Sequence, residues 1–144
     1  MNKGYVSRFL KPSLIDADNS INAAAFDLRD RSPPEVYVSF YEVTGESVNV
    51  RFVSGYNSIN QKFDVSNKNN AAIVLLDIFE CLEEINDEEK DLITFKPQNL
   101  PHCGLFYLTT NLVKIQEIKT TLSFLASQNL KRIREIKEYL PAIS

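Results

Sequence analysis

The stretch 35–53 constrains the fold more than any other part of the chain. Glu35-Val36-Tyr37-Val38-Ser39-Phe40-Tyr41-Glu42-Val43 and Ser47-Val48-Asn49-Val50-Arg51-Phe52-Val53 are rich in β-branched and aromatic residues and flank a short Thr44-Gly45-Glu46 connection. That pattern predicts a β-hairpin. In its second arm Val48, Val50 and Phe52 alternate with Ser47, Asn49 and Arg51, and in its first arm Val36, Val38 and Phe40 alternate with Tyr37, Ser39 and Tyr41. One face is therefore expected to be buried. Tyr37, Ser39 and Tyr41 are left for the other face, which is either solvent or the floor of a ligand site.

A hairpin with one apolar face needs other elements to cover it. The segment 5–10 reads as a strand ended by Pro12, and Ser20 is placed to cap a short segment through 23–26 that Pro33-Pro34 ends. The polar, asparagine-rich stretch 54–70 is expected to be a surface connection with a short strand at 62–65. The segment 71–85 carries Ile73, Leu76, Phe79, Leu82 and Ile85 at helical spacing, so it is expected to be a helix, although the run 71–76 fits a buried strand as well. Short strands are expected at 92–95 and 104–109, with 100–103 as the loop between them. Two helices close the chain, one capped by Thr110 and one by Asn129, the last ended by Pro141. The expected architecture is a single α+β domain over residues 1–144: an antiparallel sheet with a central hairpin, one mid-chain helix and a C-terminal helical pair.

With 144 residues, 44% of them hydrophobic, the chain can build a core without disulfide or metal support. No apolar run has the length of a signal peptide or a membrane span, so a soluble cytoplasmic protein with no membrane partner is expected. In that compartment Cys81 and Cys103 are expected to be thiols. The net charge of −3 hides a segregation: 71–111 holds eight acids against two bases, and 112–144 holds six bases against three acids. Nucleic acid is a poor partner for such a chain, because phosphate contacts need clustered positive charge. The bases of 131–137 interleave with Glu135 and Glu138 as ordinary i,i+4 pairs.

Chemistry, if there is any, centres on His102. It is the one histidine of the chain and stands in Leu100-Pro101-His102-Cys103-Gly104-Leu105. Adjacent residues in an extended segment point apart, so His102 and Cys103 do not form a nucleophile–base pair, while a pairing of His102 with Cys81 stays open against the plainer reading of a loop histidine beside two inert thiols. The ligands for a zinc site are too few and too far apart, and no metal or cofactor is expected. The acidic run 77–91 lacks the spacing of a calcium loop and reads as a solvated helix face. The remaining candidate pools residues from separate strands: Arg8 to hold an anion, Ser39 to orient a ligand, His102 as a general acid–base, and Tyr37 with Tyr41 as aromatic walls. An ion pair of Arg8 with Asp16, Asp18 or Glu35 is the structural alternative.

The order Arg8-Phe9, Ala25-Phe26, Val38-Ser39-Phe40 and Pro101-His102-Cys103-Gly104-Leu105 resembles a loose group of small uncharacterised bacterial proteins found near mobile or defence genes. In that group Arg-Phe, Ala-Phe, Leu-Ser-Val and His-Ala-x-Ile/Leu recur in the same order. This chain departs from it at Val38, Phe40 and Cys103. The resemblance implies a shared fold and a shared pocket and supplies no reaction. The expected function is a non-enzymatic module that docks a partner protein, and the alternative is an enzyme or a nucleotide- or phosphate-binding domain built on Arg8, Ser39 and His102. The oligomeric state is not legible.

Overall fold

The structure, a computed structural model, describes residues 1–140. Six strands form one antiparallel sheet: β1 (Tyr5–Leu10), β2 (Val38–Val43), β3 (Ala72–Asp77), β4 (Ile93–Pro97), β5 (His102–Tyr107) and β6 (Leu130–Arg132), in the order β4-β5-β2-β1-β3-β6. Four helices accompany it: α1 (Val48–Lys62), α2 (Ile78–Ile85), α3 (Leu112–Ser127) and α4 (Ile133–Lys137). The fold is α+β, with a mid-chain helix and a helical pair near the end. Among the described residues no helix is long and apolar enough to cross a membrane.

The second arm of the expected hairpin is instead the helix α1. Phe52 and Val53 are adjacent and both buried, which a half-buried strand does not allow, and with Tyr56 and Ile59 they lie on one face of a 3.6-residue period. Val48, counted on the buried side of the strand reading, is exposed, and so is Val36. The Ser47 hydroxyl caps the helix by accepting from the Val50 amide at 3.3 Å. Gly55 lets α1 lie close on β1, since a Cβ there would sit 2.8 Å from the Ser7 hydroxyl oxygen. β2 pairs with β1 and β5 instead, and the hairpin of this fold is β4–β5. Residues 62–65 form no strand; Lys62 ends α1, and the Asp64 carboxylate folds the chain by accepting from the amide and hydroxyl of Ser66.

Segment 71–85 divides at Asp77. Ala72–Leu76 are all buried, because β3 is covered on both faces and reads as one apolar run. Asp77 then caps α2. The helix expected from 129 begins with the short strand β6, and its cap is at Arg132, whose amide donates to the Glu135 carboxylate at 3.0 Å. Asn111, not Thr110, caps α3, and Asn22, not Ser20, caps the short 3-10 turn Ala23–Phe26. Pro141 lies outside the described residues.

Two cores flank the sheet. One is formed by the inward residues of β1 to β5 with α2, α3 and the 3-10 turn Ala23–Phe26, and centres on Phe26, Phe40, Phe95 and Leu122. The other lies under α1 and α4 and centres on Phe52, Ile59, Ile73 and Ile133. α1 rests on β1, β2 and β3, and α4 rests on α1 and β6. The two layers differ in extent, and that difference shapes the site.

Both sheet edges are blunted. On β4, the Asn86 side chain accepts from the amides of Leu92 and Ile93 at 2.7 and 2.9 Å and donates to the Ile93 carbonyl at 3.3 Å. The Met1 ammonium donates to the Phe95 carbonyl, and Pro97 has no N–H to offer. β6 is only three residues long. Capped or short edges resist pairing with a second chain.

Candidate functional site

His102 is the first residue of β5 rather than part of a loop. The β4–β5 turn is closed by Gln98 N–H donating to the His102 carbonyl at 2.9 Å and His102 N–H donating to the Asn99 carbonyl at 3.2 Å, with Asn99 at φ 80°. Strand alternation then sends Cys103 and Leu105 into the α2–α3 core and His102, Gly104 and Phe106 to the other face. The β2–β5 register sets Tyr41 opposite His102 and Ser39 opposite Gly104. The β4–β5 register adds Lys96 and Thr94 to the same face.

On this face the side chains converge. Ser39 Oγ lies 2.7 Å from His102 Nε2, a hydrogen bond that forms in either ring tautomer with the hydroxyl or the ring as donor. Tyr41 and Tyr37 flank the imidazole at 5.4 and 5.8 Å between ring centroids, and Tyr37 lies 5.2 Å from Phe106. The Lys96 ammonium sits 5.1 Å from the Phe106 ring centroid. Gly104 is the floor under Tyr37: a Cβ there would come within 2.5 Å of the phenol ring. Tyr37, Ser39, Tyr41, His102 and Phe106 are each half-buried, because α1 stops over β2 and does not extend across β5 and β4.

The electrostatics follow from that partial cover. Burial, and after it the positive charge of Lys62, hold the His102 imidazole below its ordinary value near 6.5, against a smaller opposing pull from the Gln98 backbone. The ring is neutral at neutral pH. Burial also raises the Tyr41 phenol. The thiols are inert by the same cause: burial first, then nearby carboxylates, push Cys81 and Cys103 up to about 12, and both are free.

Arg8 takes no part in this face. Its side chain points into the opposite core, where Nε donates to the Ala25 carbonyl at 2.9 Å and Nη1 donates to the Ser39 carbonyl at 2.7 Å, with the guanidinium 5.8 Å from the Phe40 ring centroid. Burial, with Arg29 nearby, lowers it to about 10. It pairs with neither Asp16 nor Asp18; Glu35 is engaged by Arg29 at 2.8 Å and Arg31 at 3.5 Å. Arg8 therefore bolts the 3-10 turn to β2, helped by Tyr107, whose hydroxyl donates to the Phe26 carbonyl. Tyr37, Ser39 and His102 share one face, and Arg8 lies on the far side of the sheet. Sequence reading missed Gly104 and Phe106, whose alternation with His102 emerges only if β5 begins at 102, and Lys96, which reaches this face only through the β4–β5 register.

The C-terminal bases are also engaged locally. Arg132 and Arg134 donate to the carbonyl and side chain of Asn70, and Lys137 to Ser66 and Asn69, so they staple the 66–70 loop to α4. No ion pair among the described residues joins them to the acidic run of 77–91. Among the described residues no group of three or more His, Cys, Asp or Glu comes together to hold a metal ion. Comparison with protein families, with curated proteins and with solved structures finds no match.

Proposed function

We propose that the protein is a binding module whose recognition surface is the uncovered half of the sheet, and that it takes a flat, ring-bearing ligand against Tyr37, Tyr41, His102 and Phe106. One observation carries this reading: the outer strands are covered by helices on one face only, and the rings and the Ser39–His102 hydrogen bond gather on the other. Half-exposed aromatic rings around a polar pair offer apolar area together with a directional contact, the usual make-up of a ligand site. The His102–Ser39 pair orients the ligand. The hydrogen bonds of the described residues give His102 no carboxylate to complete a nucleophilic triad.

The test is aromatic NMR with indole, adenosine and phenol as probes. Shifts confined to His102, Tyr37, Tyr41 and Phe106, and lost in Phe106→Ala and Tyr41→Ala, are expected. Probes that perturb only residues away from this face, or none, would overturn the reading.

A second surface supports docking of a partner protein. Phe79 on α2 and Phe124 on α3, helices that touch each other, are 57% and 63% exposed, and among the described residues no ion pair engages the acidic run 77–91 that carries Phe79. A basic partner is the complementary occupant. Salt-sensitive co-purification that survives Phe106→Ala but is lost in the Phe79→Ser, Phe124→Ser double variant is the expected result; retention in the double variant sinks it.

A further inference from the structure

We infer, resting on the ring-binding reading above, that the occupant of the open face is a nucleoside phosphate, its base stacked against Tyr37 and Phe106 and its phosphate drawn to the lysines at the margin. Three features of the face point to this chemistry. The rings of Tyr37 and Phe106 lie 5.2 Å apart at 44°, half-exposed, and a nucleobase is a flat ligand with a π-face to set against such rings. Ser39 Oγ and His102 Nε2 put a donor–acceptor pair at the centre, where a base edge or sugar hydroxyl finds partners.

The third feature is charge. Residues 71–111 hold eight acids against two bases, yet β4 sends one of those two bases, Lys96, to this face. Register sends Glu42 of β2 to the opposite face, opposite Val6. Among the described residues, the groups around His102 are Tyr37 and Tyr41 and, as a charge, Lys62 from the end of α1, none of them a carboxylate, while Lys96 of β4 lies over Phe106 on the same face. A face that gathers rings and two lysines, with no carboxylate among these described neighbours, on a chain of net charge −3, complements an anionic aromatic ligand. The small number of cations suits one phosphate ester better than a polyanion, whose binding needs many contacts along its length.

The single histidine makes the test direct, since its Cε1–H resonance needs no assignment. Titrating the intact protein with AMP from pH 5 to 8 is expected to shift that resonance and to raise the His102 pKa, because a bound anion favours the imidazolium. Because the AMP phosphate itself gains its second charge near about pH 6, the linkage is read from the His102 pKa in the AMP complex rather than from affinity at two pH values. Adenosine is expected to bind more weakly and to leave the pKa in place, and Lys62→Gln or Lys96→Gln is expected to weaken AMP several-fold without weakening adenosine. If adenosine binds as well as AMP and moves nothing with pH, the phosphate is not recognised; the inference falls and the ring-binding reading stands. Inorganic phosphate binding as tightly as AMP removes the base from the argument and overturns it too. So does a thymidine octanucleotide that binds where AMP does not. Failure of AMP together with indole and phenol overturns both readings.

Discussion

Removing the Asn86 side chain should loosen β4 and cost the fold about 2–3 kcal/mol. The figure comes from its three hydrogen bonds: two short ones accepted from the Leu92 and Ile93 amides at 2.7 and 2.9 Å, each worth about 1 kcal/mol net, and a longer one to the Ile93 carbonyl at 3.3 Å worth about half that. Leu92 and Ile93 are buried, so water does not readily replace the lost partner, which keeps the loss near the top of the range. At about 3–4 °C per kcal/mol for a domain of this size, Asn86→Ala should melt about 6–12 °C lower. Asn86→Asp keeps an oxygen for both amides, but at pH 7 its second oxygen meets the Ile93 carbonyl and adds charge to an acidic run; at low pH, where the protonated carboxyl has an O–H to donate to that carbonyl, it should cost less than half as much as the Ala change. Hydrogen exchange adds a local readout: the Ile93 amide should lose protection in Asn86→Ala while the β1–β3 amides keep theirs. Equal losses for the Asp and Ala variants at low pH, or a change under 0.5 kcal/mol for Ala, would refute the view that this side chain substitutes for a missing neighbour strand.

Three further expectations test other parts of the fold. Gly55→Ala should destabilise by about 1–3 kcal/mol through overpacking against Ser7, and Ser7→Gly in the same chain should recover part of the loss in chemical denaturation. Ser123, buried on α3, has a hydroxyl without a hydrogen-bond partner, so Ser123→Ala should be neutral or stabilising by up to about 1 kcal/mol; a clear loss would reveal an unrecognised bond. Because burial and Lys62 hold His102 below 6.5, the unfolded chain binds more protons than the folded one in the window just below 6.5, so stability should fall as the pH drops through it. His102→Gln should flatten that part of the stability curve, and an unchanged curve would mean that His102 titrates normally.

Much of the sheet was legible and its connections were not. β1, the first arm at β2 and the outward set Tyr37, Ser39 and Tyr41 follow from simple alternation, which the real strands obey. The error at α1 arose because Val48, Val50 and Phe52 alternate by chance over five residues, while the helical signal sits in 52, 53, 56 and 59 with Ser47 as cap. Read over the longer window, the helical period wins. Periodicity leaves the division of 71–85 open, because an apolar run satisfies both periods; the boundary is fixed by Asp77 capping the helix. For the site, residue types on β2 and His102 were readable. The placement of Arg8 on the other face was also readable in principle, since it alternates with Val6 and Leu10, both buried in the α2–α3 core. An arginine satisfied by two backbone carbonyls, however, leaves no mark in a sequence.

Ser39 is held from both sides of the sheet, its carbonyl by Arg8 and its hydroxyl by His102, at 2.7 Å each. Interior and surface are therefore not separate territories for mutation in this protein. A substitution that resettles the turn at Ala25 changes the strain on one residue of β2, and the same residue orients the imidazole across the sheet. Paired changes at Arg8 and His102 should be non-additive although their side chains lie on opposite faces. Attempts to stabilise the core around Arg8 would then retune the ring surface, and selection on that surface would be recorded among buried residues that touch no ligand.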